Sequence, residues 1–401
     1  MKIKMSRRSI LKISISVFLL AILSNWIIEP ISLNMFSKIV TPISNGNFKA
    51  EEGYIVSKGQ LTENLKFKET ADSILNQSIL SNNFLGLSVA VYKKGWGQWL
   101  GSAGYSSKRD QNEVNDNTLF RLASISKPMT AFGIMNLYEK GLIELDVPIQ
   151  TYIQNFPKKL KGEITIRQLL MHTSGITHYT SSLDAMSFTN YPTMEDALNI
   201  FKDKALEFTP GTKYMYSTYG YTVLGAIIEE VTGLSYQDYM KDAVWEKSGM
   251  MVTGVEEQKD YENKARLYFK LNDLHIKSPY TNLSSIYPGG GIQSNSEDML
   301  RFSEAILNNK IVDSMTLNLM IDTSNSLAPA IGDTPNGLGW NVFEDPDYGR
   351  VLLHGGSQPG AGCFYMIYLD QKMAISVLSN SYGTRKYTFD MARNILNSLG
   401  K

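Results

Sequence analysis

Two pairs of β-prone segments lie near opposite ends of this 401-residue chain. Residues 87–92 and 96–100 flank a glycine-containing turn, and residues 363–369 and 373–378 flank a polar one, so each pair is typical of a β-hairpin. Apolar residues between the hairpins recur mainly at helical spacing. We therefore predict an α/β (α+β) fold in which helices flank one antiparallel sheet and a mostly helical subdomain is inserted mid-chain.

Apolar periodicity and local start and stop signals place the helices. Gly141 and Gly233 each follow a periodic segment, as expected of a glycine that ends a helix. Ser294 or Asn295 is expected to cap a helix that follows it. Helices are predicted for residues 62–80, 124–140, 219–232, 297–307 and 386–399.

A basic segment followed by an apolar one begins the chain. Five lysines and arginines within the first twelve residues precede an apolar run from Ile13 to Ile28. This order is typical of an export signal, and a pair at Arg7 and Arg8 also fits the twin-arginine route. We predict that residues 1–28 are an export signal or a membrane anchor, which would contact the membrane through residues 10–28 if it stays uncleaved. The rest of the chain would lie outside the cytoplasm, in the periplasm or at the cell surface.

The remaining residues divide into a linker and a body. Residues 29–60 carry prolines and glycines without a sustained period, which is typical of a linker. We assign residues 61–401 to one domain, with its sheet part in 61–123 and 287–401 and its helical part in 124–286.

Charge and motif content exclude several function classes. The 39 basic and 39 acidic residues balance, which argues against nucleic acid as a partner. Cys363 is the only cysteine, so an internal disulfide is impossible, and a buried thiol in a strand is the expected role. The histidines do not form H-E-x-x-H, and the glycines from Gly289 onward lack a following Gly-Lys. We therefore predict no metal and no cofactor.

Ser124 and Lys127 form an S-x-x-K motif at the predicted start of a helix. Positions i and i+3 share a helix face, so the lysine amine can reach the serine hydroxyl. A serine needs a base to become a good nucleophile, and a lysine whose pKa is lowered by burial can act as one. The alternative is that Ser124 merely caps the helix.

The sequence around this motif resembles a known superfamily. Residues 120–128, Phe-Arg-Leu-Ala-Ser-Ile-Ser-Lys-Pro, resemble the serine β-lactamases and penicillin-binding proteins, above all their class C branch. Residues 163–175 fit the same family, and His178 continues the match in a way similar to the mitochondrial serine β-lactamase-like proteins. The resemblance spans residues 87–378 and implies a β-lactamase/transpeptidase-like fold.

The resemblance also implies roles for residues farther along the chain. Tyr216 matches the tyrosine of a Tyr-x-Asn motif and is expected to share proton transfer with Lys127, whereas Thr218 replaces the asparagine. His354, Gly356 and Ser357 match the third motif, with the Ser357 N–H expected to complete an oxyanion hole. The alternatives are a packed core tyrosine, a helix-capping Thr218 and a structural His354.

Together these features predict an exported serine hydrolase that forms an acyl-enzyme at Ser124. Its expected substrates are small peptides of the D-Ala-peptide or cell-wall type, esters or amides. Because a neutral His354 replaces the usual lysine, we expect weak β-lactam hydrolysis. Two alternatives stay open: a binding or sensor module with little or no catalysis, and a class C-like β-lactamase. The sequence makes no prediction of the oligomeric state.

Overall fold

A computed structural model of the chain describes residues 55–58, 65–179, 187–257, 263–328 and 334–399. The strands are β1 Ile55–Lys58, β2 Gly86–Lys93, β3 Gly97–Ser107, β4 Asn112–Glu113, β5 Phe120–Arg121, β6 Gly254–Val255, β7 Tyr268–Leu271, β8 Leu274–Lys277, β9 Ile292–Ser294, β10 Asn341–Asp345, β11 Gly349–Gln358, β12 Ala361–Tyr368, β13 Met373–Ser379 and β14 Ser381–Tyr382. The α-helices are α1 Leu65–Leu80, α2 Ser126–Glu139, α3 Ile166–Leu170, α4 Met194–Leu198, α5 Thr218–Thr232, α6 Tyr236–Met240, α7 Tyr287–Gly290, α8 Ser296–Leu307, α9 Ser314–Ile321 and α10 Arg385–Ser398.

The two predicted hairpins meet in one sheet, in the order β1-β3-β2-β13-β12-β11-β10, with β4 paired to β3. Every neighbouring pair in this sheet is antiparallel. Strands β2 and β13, from opposite ends of the chain, pair along their length, so that Val89 lies opposite Val377. Both hairpins and the antiparallel sheet are therefore confirmed.

Helices cover both faces of the sheet, which explains why its central strands are buried throughout. Helices α1 and α10 pack on one face, where Leu75 and Ile395 join a core with Val89 and Ile375. Phe67 of α1 meets Trp99 of β3 edge to face, with ring centroids 5.9 Å apart. Helix α8 packs on the opposite face, where Leu300 contacts Ala90 and Leu100. Each fully buried side chain of this kind contributes about 1.5–3 kcal/mol of transfer free energy.

Helices α2 to α6 lie in the mid-chain segment, but the predicted helical part, residues 124–286, also contains the short strands β6, β7 and β8. A helix was predicted for residues 124–140. The structure has a 3-10 turn at Ala123–Ile125, followed by α2, which begins at Ser126. Asn295 caps α8, because its side chain accepts a hydrogen bond from the N–H of Asp298. It is one of the two residues predicted as the cap of this helix. The glycines at 289 and 290 belong to the helical turn α7, which leads into strand β9. Pro288 at the start of α7 fixes a helical φ angle there.

Residues 1–28 lie outside the described residues, and the export signal or anchor stays a prediction. Among the residues that the structure describes, no helix combines the length and hydropathy that crossing a bilayer requires.

Candidate active site

Ser124 lies in the 3-10 turn between β5 and α2, and its side chain stays partly exposed while its neighbours are buried. Ala123, directly before it, has a φ angle of +49°, a left-handed conformation that non-glycine residues seldom adopt. Two backbone hydrogen bonds hold this turn, from Leu122 N–H to the Ile292 carbonyl (2.9 Å) and from Ile125 N–H to the Leu122 carbonyl (3.2 Å). Helix α2 is preceded by Ile125, which makes no side-chain cap bond, so the capping interpretation of Ser124 is wrong.

The Lys127 amine lies within hydrogen-bonding reach of three oxygen atoms. Its Nζ is 3.2 Å from Ser124 Oγ, 3.2 Å from Thr218 Oγ1 and 2.6 Å from the Gly289 carbonyl oxygen. The side chain is fully buried, and among the described residues no carboxylate pairs with it. Burial lowers the pKa of Lys127 well below the ordinary lysine value, because an ammonium is poorly solvated there.

Helix α7 presents three successive carbonyl groups to side chains of the site. The Pro288 carbonyl accepts from Thr130 Oγ1 (2.6 Å), that of Gly289 from Lys127, and that of Gly290 from Gln358 Nε2 (2.9 Å). A Cβ atom at Gly289 would lie 2.6 Å from Thr218 Cγ2, so the close approach requires glycine. The sequence did not predict that the Gly289 carbonyl accepts from Lys127, because every residue has a backbone carbonyl and no side-chain motif marks this one.

The start of α5 and the residues before it bring Thr218 and Tyr216 to the Lys127 amine. Lys127 Nζ lies 4.7 Å from the centroid of the Tyr216 ring, and the structure thus joins the first two motifs. Thr218 is the first residue of α5, and the cap is Ser217, whose Oγ accepts from the N–H of Gly220. The capping interpretation of Thr218 is therefore wrong, and its hydroxyl faces the lysine.

Strand β11 contains the third motif, and it packs against the turn that contains Ser124. A Cβ at Gly356 would lie 2.3 Å from the Leu122 carbonyl oxygen and 3.2 Å from Ala123 Cβ. The glycine therefore allows β11 to pack closely against residues 122 and 123, directly before Ser124. Strand β10 pairs only with residues 349–353. Within the described chain, residues 354–358 therefore have a strand partner on the β12 side alone, and Ser357 lies on this open edge.

His354 of β11 is buried and uncharged. Burial is the main cause that lowers the pKa of His354, to about 3. Its Nδ1 lies 2.9 Å from the Gly355 carbonyl oxygen, which can only accept, so Nδ1 carries the hydrogen and Nε2 the lone pair. This neutral tautomer agrees with the expectation of an uncharged third-motif histidine.

A buried ion pair joins Arg121 of β5, just before the turn that carries Ser124, to Glu256 directly after β6. Arg121 donates to both carboxylate oxygens of Glu256 (2.5 and 2.9 Å) and to the Pro359 carbonyl (2.7 Å) in the turn after β11. Burial alone would raise the pKa of Glu256, but the charges and hydrogen bonds of Arg121 and Lys264 outweigh it, and the pKa is lowered. Arg121 thus holds both Glu256 and the turn after β11. Hydrophobic periodicity does not predict these contacts.

Two further histidines, His172 and His178, lie beside Tyr216, with ring centroids 4.4 and 5.7 Å from the tyrosine ring. Burial is the main cause that lowers the pKa of both, to about 3 for His178. Cys363 is buried in β12 as expected, and burial raises the pKa of its thiol to about 12. Across the described ranges, no three histidine, cysteine or acidic side chains lie close enough to hold a metal ion.

Comparison with known proteins agrees with this geometry. The family model described as Beta-lactamase matches residues 66–399. The chain is 28% identical to penicillin-binding protein 4* of Bacillus subtilis over 71% of its own length and 66% of that protein's. It is 28% identical to the human mitochondrial serine beta-lactamase-like protein LACTB over 55% of this chain and 53% of that one. The chain thus spans between half and two thirds of the length of these relatives.

A solved structure shares the fold. The D-amino acid amidase of Ochrobactrum anthropi superposes with a TM-score of 0.74 over 83% of this chain and 98% of the amidase, at 24% identity. Because the family model covers most of the chain, the resemblance inferred from Ser124, Lys127 and Tyr216 is confirmed. The chain belongs to the beta-lactamase family.

Proposed function

We propose that this protein is an exported hydrolase that forms an acyl-enzyme at Ser124 and cleaves small peptides, amides or esters. One observation carries the proposal: the partly exposed Ser124 Oγ lies 3.2 Å from the amine of a fully buried Lys127 whose pKa is lowered. A structural lysine would normally be paired or reach solvent, because an isolated buried ammonium is costly.

The three oxygen atoms around Lys127 would satisfy the three N–H donors of an ammonium, and they also suit the neutral amine that burial favours. An uncharged amine has two N–H donors and one lone pair. The Gly289 carbonyl can only accept, so it takes one N–H, and Thr218 Oγ1 takes the other. The lone pair is then left for the Ser124 hydroxyl, which donates its proton to it. This arrangement supports Lys127 as the general base, with the Tyr216 phenol beside it as proton relay.

The reaction follows from these contacts. Ser124 Oγ bonds to the substrate carbonyl carbon while its proton passes to Lys127, and the N–H groups of Ser124 and Ser357 would stabilise the oxyanion. The carbon–nitrogen or carbon–oxygen bond then breaks, and the leaving group takes the proton. Water attacks the acyl-enzyme with the same proton transfers, and releases the acid and free Ser124.

The cleft favours peptide-like substrates. The open edge of β11 at residues 354–358 can pair with an extended chain by backbone hydrogen bonds. The exposed Arg385 lies over β11 at Gly355, with its Nε 3.3 Å from the position of a Cβ there, where it could meet a substrate carboxylate. The likeness to a D-amino acid amidase supports amides of D-amino acids as a second class.

A substrate panel tests the proposal. Purified protein lacking residues 1–28 would be assayed with p-nitrophenyl esters, D-amino-acid amides, D-Ala-D-Ala peptides and nitrocefin, with the Ser124→Ala variant as control. We expect Ser124-dependent turnover of an ester, amide or peptide, and slow nitrocefin turnover because His354 is neutral. Turnover that survives in Ser124→Ala, or none with any substrate, would reject the proposal. Nitrocefin as the fastest substrate would instead support a class C-like β-lactamase.

A further inference from the structure

Two imidazoles hold the backbone at the start of helix α5. The N–H of Ser217 donates to His172 Nδ1, and the N–H of Thr218 donates to His178 Nδ1, both at 3.2 Å. A backbone N–H can only donate, so both Nδ1 atoms carry a lone pair and both rings bear their hydrogen on Nε2. Successive residues of one catalytic segment are therefore each held by a histidine.

The same two rings pack against the tyrosine of that segment. The His172 ring lies 4.4 Å from the Tyr216 ring at an interplanar angle of 36°, and the His178 ring meets it edge-on at 5.7 Å. The Lys127 amine lies 4.7 Å from the centroid of the Tyr216 ring. The Tyr216 ring is thus packed among two imidazoles and the Lys127 amine.

The two histidines satisfy backbone N–H groups at the start of α5 that have no partner within the helix, and they do so in addition to its side-chain cap. Ser217 already supplies the side-chain cap of α5, through its bond to the N–H of Gly220. The two N–H groups that the imidazoles accept precede that bond and belong to the residues on either side of the helix start. Both histidines also lie in the loop after α3. Their contacts therefore hold that loop against the residues next to Tyr216.

We propose that His172 and His178 are positioning residues for the proposed acylation: by accepting the N–H groups of Ser217 and Thr218, they hold Tyr216 and the Thr218 hydroxyl against Lys127. The inference rests on the proposed function of Ser124. Loss of the acceptor displaces the phenol and Thr218 Oγ1 from the amine, and displacements near 1 Å cost on the order of 100-fold in rate.

His178 is the better test site, because His172 is almost fully buried and has a φ angle of +59°. In His178→Asn the side-chain oxygen occupies the place of Nδ1 and can still accept, whereas His178→Leu fills the space without an acceptor. With a p-nitrophenyl ester we expect His178→Leu to lose roughly 10- to 100-fold in kcat, with little change in KM. His178→Asn should recover most of that loss.

A second measurement separates positioning from general destabilisation. If His178 acts through the phenol, His178→Leu should cost far less in a Tyr216→Phe background than in the wild type, because effects of groups that act together are not additive. Thermal melts of all four proteins would report folding. If His178→Leu does not fold, His178→Ala takes its place.

Three results would overturn the inference: kcat of His178→Leu within twofold of wild type, equal losses in the Asn and Leu variants, or full additivity with Tyr216→Phe. Failure of the proposed function is distinct from all three, because the wild-type protein itself would then show no Ser124-dependent turnover.

Discussion

At the scale of single residues, the site depends on an amine whose burial favours its neutral form. Lys127 is fully buried, and its neighbours are hydroxyl, carbonyl and aromatic groups rather than carboxylates. The neighbouring His172 and His354 also have lowered pKa values, so their neutral forms add no charge near the amine. The surroundings of Lys127 therefore favour its neutral form, which a general base requires.

This arrangement predicts how stability depends on pH. The pKa of Lys127 is lower in the folded protein than in the unfolded chain, where it is about 10.4. Between those two values the unfolded state binds more protons, so the free energy of unfolding rises with pH. We expect the wild type to gain stability relative to Lys127→Met as pH rises toward 10, measured by denaturant unfolding. Equal pH dependence of the two proteins would contradict a lowered pKa.

The sequence predicted the residues with chemically distinctive side chains and missed the backbone groups. Ser124, Lys127, Tyr216, Thr218 and His354 were assigned from motifs, and the structure brings Ser124, Tyr216 and Thr218 around the Lys127 amine. The Gly289 carbonyl was missed because any residue has one, and its role depends on which carbonyl α7 turns toward Lys127. The Ser357 N–H stays a prediction.

At the scale of secondary-structure elements, the site is a junction of α2, α5, α7 and β11. Helix α2 carries Lys127 and Thr130, which hold two successive carbonyls of α7, and Gln358 of β11 holds the third. Periodicity located α2, α5 and α8 to within a few residues. It could not locate α7, because a single turn is too short to show a period.

The packing of α7 on α5 predicts a steric effect. In Gly289→Ala the new Cβ would lie 2.6 Å from Thr218 Cγ2 and 3.0 Å from the Thr218 carbonyl oxygen, so α7 must move away from α5 and carry its carbonyl from Lys127. We expect kcat for an ester substrate to fall on the order of 10- to 100-fold in a folded protein. Gly254→Ala is the matched control, because a Cβ there meets no atom within 4 Å. Activity of Gly289→Ala equal to that of the control would contradict this account.

At the scale of the whole molecule, one sheet assembled from both ends of the chain supports the site. Strands β2 and β13 pair along their length, and this pairing puts β11 beside the turn that carries Ser124. The two hairpins predicted the sheet because each is a local pattern. The strand order and the buried Arg121–Glu256 pair were not predictable, because both depend on contacts between residues more than 100 positions apart.

That buried pair predicts a difference in stability. Glu256→Gln leaves the guanidinium of Arg121 without its charged partner inside the protein, and we expect a loss of about 3 kcal/mol in the free energy of unfolding. Glu344→Gln removes the partner of Arg350 in an exposed pair and should cost less than about 1 kcal/mol. Urea unfolding of both variants would check this. Equal losses would show that the buried pair has no special importance for the fold.

The identity of the nucleophile is tested most directly by covalent labelling. The protein would be treated with a fluorophosphonate, digested, and its peptides mapped by mass spectrometry, with Ser124→Ala and the nearby Ser126→Ala treated in parallel. We predict one adduct on Ser124, kept in Ser126→Ala and lost in Ser124→Ala, because, of the two hydroxyl residues beside the Lys127 amine, Ser124 is partly exposed whereas Thr218 is buried. An adduct on another residue, or none on folded protein that turns over substrate, would contradict the account.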